Sequence, residues 1–597
     1  MNTYTRLNLQ EGILPAKECF YNRNYFQSQI AFVPRHHNRT RRSPLSLKIK
    51  ASFTCSSPIT ARTSDNNDIL ITECDVVVIG SGIGGLSCAS LLARYGLSVI
   101  VCESHTIPGG AAHAWIRDGY HFESGPSLYS GMAGRGPAAN PLALVFQAIN
   151  EPLELLQYNE WNVLLPEVPS GYAAGVGPAG FDGLMTTAVG PQVLPQLRAL
   201  QDAVVPLAKA ATALPPAALR LDPGVVVSAL ARYFSVLLPS LPTLSKLTAP
   251  FSLVMDSAGV SDKFLRNYID LLCFLLSGLP AEGTITAEVA FMMKEWFDPH
   301  ATLEFPKGGS QAMVNALVNG VVKYGKEQGQ VRLGTHVEEI LVDSKDSATA
   351  RGVRLRNGEM IYARKAVVSN ASTPDTLNLL NSENNNELLN SWKKEVGKTP
   401  LNPSFMHLHL GFDATGLENV GLHHIVVNDW DLPGGVTAPD NVILISIPSV
   451  IDPSLAPPGK HSLHAYFPAT ERWAPWEGLD RRSDEYKALK IERSKALWAA
   501  VEKIIPDIRS RIEIELVGTP LTHARFLRRH KGSYGPAWKA GEATFPFGTS
   551  PVKKLYCCGD FVFPGIGLPA VAASGAVVAN TLVPLKQHLE LLDSIGL

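Results

Sequence analysis

Charge is scarce in this chain and evenly matched where it occurs. Only 18% of the 597 residues are charged, and 53 basic side chains face 54 acidic ones, a net charge of −1. A balance so close to neutral argues against a dedicated nucleic-acid binder, which needs a basic surface. Cysteine is also sparse: the eight lie at positions 19, 55, 74, 88, 102, 273, 557 and 558 with no CxxC pair, which gives neither a metal site nor a disulfide framework. Adjacent Cys557 and Cys558 read as buried strand packing, and a reducing compartment fits. No 18 uncharged apolar residues occur in a row, so a membrane-spanning helix is not expected. HExxH, a Ser/His/Asp constellation and a second nicotinamide fingerprint are all missing. With 45% apolar residues, 49 Gly and 43 Pro, wholesale disorder, collagen and coiled coil are excluded as well. The length is several times that of one ordinary domain, so more than one is expected.

The near-neutrality averages two unlike parts. Residues 1–64 carry ten basic side chains against Glu11 and Glu18, net +8, which leaves 43 basic and 52 acidic residues, net −9, in the rest. The basic segment is rich in Ser, Thr and Asn, has no long apolar core and ends in the polar stretch Thr60–Asp68. It reads as an organelle transit peptide; a disordered basic arm is the alternative, and a secretory signal does not fit.

From Asp75 the chain runs Val76-Val77-Val78-Ile79, then Gly80-Ser81-Gly82-Ile83-Gly84-Gly85, then Leu86 to Tyr95 with helical spacing, then Ser98 to Glu103. Strand, glycine turn, helix and strand form a dinucleotide-binding unit. Gly80 permits the tight turn, Gly82 lets the backbone approach a pyrophosphate, Gly85 lets the helix lie close to the sheet, and free N–H groups at the helix start face the anion. Glu103, 18 residues after Gly85, stands where a carboxylate can accept hydrogen bonds from ribose hydroxyls. NAD and FAD both use this unit. Pro108-Gly109-Gly110 resembles the flavoprotein pattern in which the chain passes the second phosphate and ribityl arm, with a plain turn as the alternative.

Near the other end, Leu555-Tyr556-Cys557-Cys558-Gly559-Asp560 reads as a short strand ending in Gly-Asp. Pro564-Gly565-Ile566-Gly567-Leu568-Pro569 then leads into a small-residue helix, Ala570 to Val583. On these ends, and on Phe305–Gly309, Val367–Ala371, Ile451–Pro457, Gly518–His523 and Lys531–Pro536, the chain resembles the carotenoid isomerase branch of the FAD-dependent amine oxidase and phytoene desaturase superfamily. It departs from that pattern at Ile566–Pro569, where the isomerase run is Gln-Gly-Val-Ile, and at His121-Phe122-Glu123, which replaces Thr-Phe-Asp.

The resemblance implies an α/β fold: a Rossmann-type FAD-binding domain, doubly wound with a β-meander, plus an α+β substrate domain inserted discontinuously. The layout it implies is a leader over 1–70, FAD-binding segments at 71–150, 301–380 and 546–597, and substrate segments at 151–300 and 381–545. It implies FAD held by Gly80, Ser81, Gly82, Ile83, Gly84 and Gly85, by Glu103 and Ser104, and by Gly109 and Gly110. Val337 would stand beside adenine, Gly559-Asp560 on the ribityl and phosphate region, and the backbone of Gly567 and Leu568 toward the isoalloxazine. The flavin is then the reactive group. No metal is implied, and no catalytic side chain is assigned; His113, His121, Glu123, Lys307 and His523 could face the flavin or serve structure alone.

Other patterns agree with this layout. Val331–Val342 and Arg351–Leu355 alternate like strands, Asn357-Gly358 marks a hairpin turn, and Ala366–Asn370 reads as a strand buried on both faces. Between Pro223 and Ser261 only Arg232, Lys246 and Asp256 carry charge, and Pro239, Pro242 and Pro250 should chop the run into short helices. That segment is either a mouth or peripheral attachment facing a bilayer, or an ordinary buried layer. Three functions stay open: cis-trans isomerisation of an apolar polyene in the chloroplast, desaturation or saturation of an isoprenoid, and lipid binding without chemistry, as in GDP-dissociation inhibitors. Oligomeric state is not readable.

Overall fold

The computed structural model describes residues 59–62, 68–125, 127–325, 329–343, 348–380 and 387–597. The transit-peptide reading of residues 1–70 falls almost wholly outside them. Val76, Val77 and Val78 in strand Asp68–Ile79 are fully buried. Val76 and Val78 pack with the helices on one side, Val77 and Ile79 with the cluster on the other. A strand so covered belongs inside a parallel sheet.

That sheet has eight strands. Gln330–Arg332, Val99–Cys102, Asp68–Ile79 and Met360–Ser369 lie side by side in parallel, and Thr349–Leu355 and Val337–Asp343 continue as an antiparallel meander. Leu555–Cys557 joins the last residues of Met360–Ser369 in parallel, and Ile59–Arg62 pairs with the start of Asp68–Ile79. Helix Ile83–Arg94 packs on one face between helices Ser310–Gly325 and Leu568–Thr581. The Asn357-Gly358 turn is present, with Gly358 at φ 87°. The expected strand Val331–Val342 is two strands: the chain turns at Gly334, φ 64°, whose N–H donates to the His105 carbonyl at 2.8 Å. The first piece extends the parallel sheet and the second opens the meander.

A second, seven-stranded sheet orders Ile512–Gly518, Ser404–Asp413, Lys460–Glu471, Val442–Ser446, His423–Val427, Glu160–Leu165 and Val168–Gly175. Strand Ser404–Asp413 alternates cleanly. Met406, Leu408, Leu410 and Phe412 pack in one cluster with Leu497, Trp498 and Val501 of helix Asp484–Ile504. Phe405 and His407 line the cavity on the opposite side.

The apolar stretch after Pro223 overturns two expectations. Pro239 and Pro242 do not chop it: Gly224–Leu247 is continuously helical, through a π-turn at Ala229–Tyr233, with both prolines inside, and only Pro250 marks a break, ahead of helix Phe251–Ser257. A proline costs a helix interior about 3 kcal/mol, yet this helix stays unbroken where it packs along helix Leu194–Ala211. Nor is that helix a buried layer, because Leu230 is 58% and Leu241 56% exposed, whereas Phe251, Val254 and Met255 beyond Pro250 are buried. The helix is long and apolar enough to cross a membrane, which a search for unbroken uncharged runs missed because Arg232 interrupts it. Arg232 is tied to the body through the Leu597 carbonyl at 2.6 Å and Asp593 at 2.8 Å.

Candidate active site

Gly80, at φ 91°, swings the chain from the end of strand Asp68–Ile79 into the glycine loop. Helix Ile83–Arg94 then starts with no side-chain cap at Gly82, so its first N–H groups are left for a ligand. A Cβ at Gly82 would stand 2.5 Å from Asn370 Oδ1, and one at Gly85 2.4 Å from the Gly80 carbonyl. Gly109 and Gly110 cross over this loop, with the Gly109 N–H donating to the Ser81 carbonyl at 3.0 Å. Buried Glu103 accepts from the Ser81 N–H at 2.8 Å, the Ser81 hydroxyl at 2.6 Å and the His105 N–H at 2.7 Å. Its two oxygens keep capacity to accept further donors.

The C-terminal segment completes the cradle from the far side of Asn370, whose amide donates to the Cys558 carbonyl at 3.2 Å. The Gly559 N–H donates to Ser574 Oγ at 2.8 Å. Asp560 faces the cavity with its carboxylate already ion-paired to Arg529, which also donates to the Ser533 and Tyr534 carbonyls. Helix Leu568–Thr581 starts at uncapped Gly567, φ 97°, with Pro569 in its first turn.

Of the fifteen residues predicted to hold cofactor, fourteen line one cavity of about 1000 Å³; Gly85 lies behind it, where its missing side chain lets the helix meet the strand. Two uncapped helix starts, an acid poised beside the glycine loop and a backbone approach with no room for a Cβ suit the pyrophosphate and ribose of FAD. The same cavity continues past Phe405 and Tyr466 into an apolar arm bounded by Leu272, Leu275, Phe291 and Met292. Glu288 lines it too, and burial pushes that carboxyl up to about 8.

The five candidate flavin-facing side chains divide. His113 and His523 line the cavity. His113 Nδ1 lies 2.7 Å from the Gly110 carbonyl, and burial lowers its pKa. Glu123 is instead buried beside Gly309, where it accepts from the Ser310 N–H. Lys307 pairs with Glu154 at the surface, 2.7 Å away, and His121 also lies off the cavity. Sequence reasoning missed Glu288 and Arg529, and quoted Asn370 and Tyr534 without giving them a role. It also missed His407, His409 and His464; the first two had a signal, as the face opposite Met406, Leu408 and Leu410 in an alternating run, whereas His464 lies on Lys460–Glu471.

The model of the family described as flavin containing amine oxidoreductase matches residues 83–582. Prolycopene isomerase 2 of an Oncidium hybrid cultivar is 30% identical over 92% of this chain and 92% of its own, and the lycopene-forming phytoene desaturase of Pseudescherichia vulneris is 26% identical over 85% and 98%. An oxidoreductase structure from Methanosarcina mazei shares the fold, with a TM-score of 0.52 and 19% identity over 84% of this chain and 99% of its own. With a glycine cradle suited to FAD and a family match across five-sixths of its length, the chain belongs to the flavin-containing amine oxidoreductases, in the branch that holds the carotenoid isomerases, and its cofactor is FAD.

Proposed function

We propose that this protein is a plastid enzyme that uses FAD to rotate cis double bonds of a long apolar polyene. The observation that carries the reading is the continuity of one cavity, from a cradle built for a dinucleotide to an arm walled by leucine, phenylalanine and methionine. Glu288, the acid in that arm, is held protonated near neutral pH and so leaves it without a fixed charge. Bound FAD supplies the proton or hydride chemistry. The chain's own residues hold it, exclude water and set the polyene against it. On this reading residues 71–150, 301–380 and 546–597 hold FAD, and 151–300 and 381–545 hold the polyene.

The exposed helix supports delivery from a membrane. Leu214 lines the cavity and belongs to the same apolar cluster as Tyr233 and Leu237 of that helix, so the greasy surface adjoins the cavity. Pinned to the body through Arg232, the helix is suited to dip into one leaflet rather than span it. The net +8 leader and the chloroplastic names of the isomerase relatives support plastid delivery.

Anaerobic assay of the leader-free protein with prolycopene, phytoene and retinol, under oxidised and reduced flavin, tests the reading. The expected product has unchanged mass and a new retention time. A mass change of two hydrogens would instead establish desaturation or saturation, the reading that the phytoene desaturase likeness favours. Lipid binding without chemistry is disfavoured by the intact glycine loop, Glu103 and Gly559-Asp560.

A further inference from the structure

Four buried histidines meet where the second sheet borders the cavity. His407 and His409 come from strand Ser404–Asp413, His464 stands opposite His409 on Lys460–Glu471, and His523 comes from helix Pro520–Phe526. The nitrogens of His407, His409 and His464 lie within 4.8 Å of one another, a grouping that invites a metal ion. Ring geometry argues against one. His407 Nδ1 is 2.8 Å from His464 Nε2, and His407 Nε2 is 2.5 Å from His523 Nε2. Two ligands each about 2.0 Å from a tetrahedral ion stand about 3.3 Å apart. His409 stacks face to face on His464, with centroids 4.3 Å apart and planes 6° apart, so their in-plane lone pairs cannot converge.

The same numbers describe a hydrogen-bonded chain. The centroid separations, 5.1 Å for His407 and His464 and 4.7 Å for His407 and His523, exceed the N···N distances by about one ring width. The bonded nitrogens therefore lie on the line between ring centres, and His407 and His523 are coplanar within 1°. Burial holds every ring neutral, His407 and His464 well below the usual imidazole range and His523 at about 3. A neutral imidazole has one N–H and one bare nitrogen, so the three rings must point their hydrogens the same way along the chain.

We propose that His523, His407 and His464 form a proton relay serving the flavin cavity. When His523 donates to His407 and His407 to His464, a proton arriving at the bare nitrogen of His523 shifts one N–H across each bond and leaves one imidazolium at His464. The reverse shift returns it. One proton enters and leaves, no electrons move, and no other bond changes. His523 and His407 line the cavity, whereas His464 lies behind them and acts through His407.

The relay rests on the FAD reading but not on the polyene. In a first arm, the FAD-loaded full chain is photoreduced in unbuffered solution and proton uptake is followed with an indicator dye. His407→Gln, which can hydrogen-bond on both sides but cannot pass a proton, should slow uptake at least about tenfold with FAD content unchanged, and added imidazole should restore it. In a second arm, turnover of prolycopene should fall about 10²-fold in kcat at constant KM, again with imidazole rescue. If His407→Gln fails to load FAD, His464→Gln is read in the same way. Uptake and kcat equal to wild type in a variant that keeps its FAD would overturn the relay. So would a stoichiometric transition metal in the purified protein. Wild-type protein that ignores prolycopene while the variant slows proton uptake would sink the polyene reading and keep the relay.

Discussion

Glu288 offers a test in which structure sets both sign and size. Its carboxyl lies on helix Thr286–Trp296, at the apolar arm, where burial raises it from 4.5 to about 8. The folded chain then binds this proton more tightly than the unfolded chain does. The stability so gained is fully present below pH 4.5, is lost progressively as pH rises toward 8, and changes no further once both states are ionised. Each unit is worth about 1.4 kcal/mol, so the loss by pH 7 approaches about 3 kcal/mol; solvent reaching the side chain through the cavity lowers the expected figure to about 1–3 kcal/mol. Glu288→Gln keeps the shape and removes the titration. Urea unfolding of the two proteins should give nearly coincident midpoints at pH 5 and a clear advantage to the variant at pH 8. Midpoints that stay parallel across that range would refute burial as the force acting on this carboxyl. In turnover, the apparent KM of wild type for an apolar substrate should rise above pH 8, where the arm acquires a charge, and that of the variant should not.

Three further outcomes follow from the same geometry. Gly82→Val drives its side chain into Asn370 and blocks the approach of the pyrophosphate, so the flavin-to-protein absorbance ratio should drop sharply; full FAD occupancy would contradict the cradle. Asp560→Ala leaves Arg529, 18% exposed, without its ion-pair partner, which should cost about 2–4 kcal/mol in denaturant titration and lower FAD content. Leu230→Glu with Leu241→Glu places charge on the exposed helix. Flotation with anionic liposomes should be lost while the melting temperature barely moves, since each exposed site carries within about 0.5 kcal/mol of stability; unchanged flotation would remove the helix from any membrane role.

The parts of the molecule legible in the sequence are those whose constraint is local. The glycine loop and the Asn357-Gly358 hairpin are each written within a few consecutive residues, because a turn or a helix start is decided by its own backbone, and Glu103 is fixed by the one strand-turn-helix-strand unit that the loop opens. The histidine chain is not local: His407 meets His464 and His523 across 57 and 116 positions, and only the sheet register brings them together. Arg529 is hidden for the same reason, since its partner Asp560 belongs to a different segment. Pro239 and Pro242 misled because propensity was weighed without the helix against which their segment packs. Glu288 gave no signal at all, being one acid on an ordinary amphipathic helix until the fold surrounds it with leucine and phenylalanine.

The order of strands in the parallel sheet also dictates when this enzyme can come into being. Met360–Ser369 is the hinge of the cradle, pairing on one side with Asp68–Ile79 and on the other with Leu555–Cys557. Helix Ile83–Arg94 cannot finish its packing until Leu568–Thr581 arrives, and Tyr95 waits for Asn580 across 485 positions. A ribosome emits the glycine loop long before its closing partners. Such distant pairing folds slowly and leaves half a cradle unmatched in the meantime. FAD retention therefore reports whether these distant segments have met: a chain truncated before Leu555 lacks Gly559-Asp560 and helix Leu568–Thr581, and should emerge colourless.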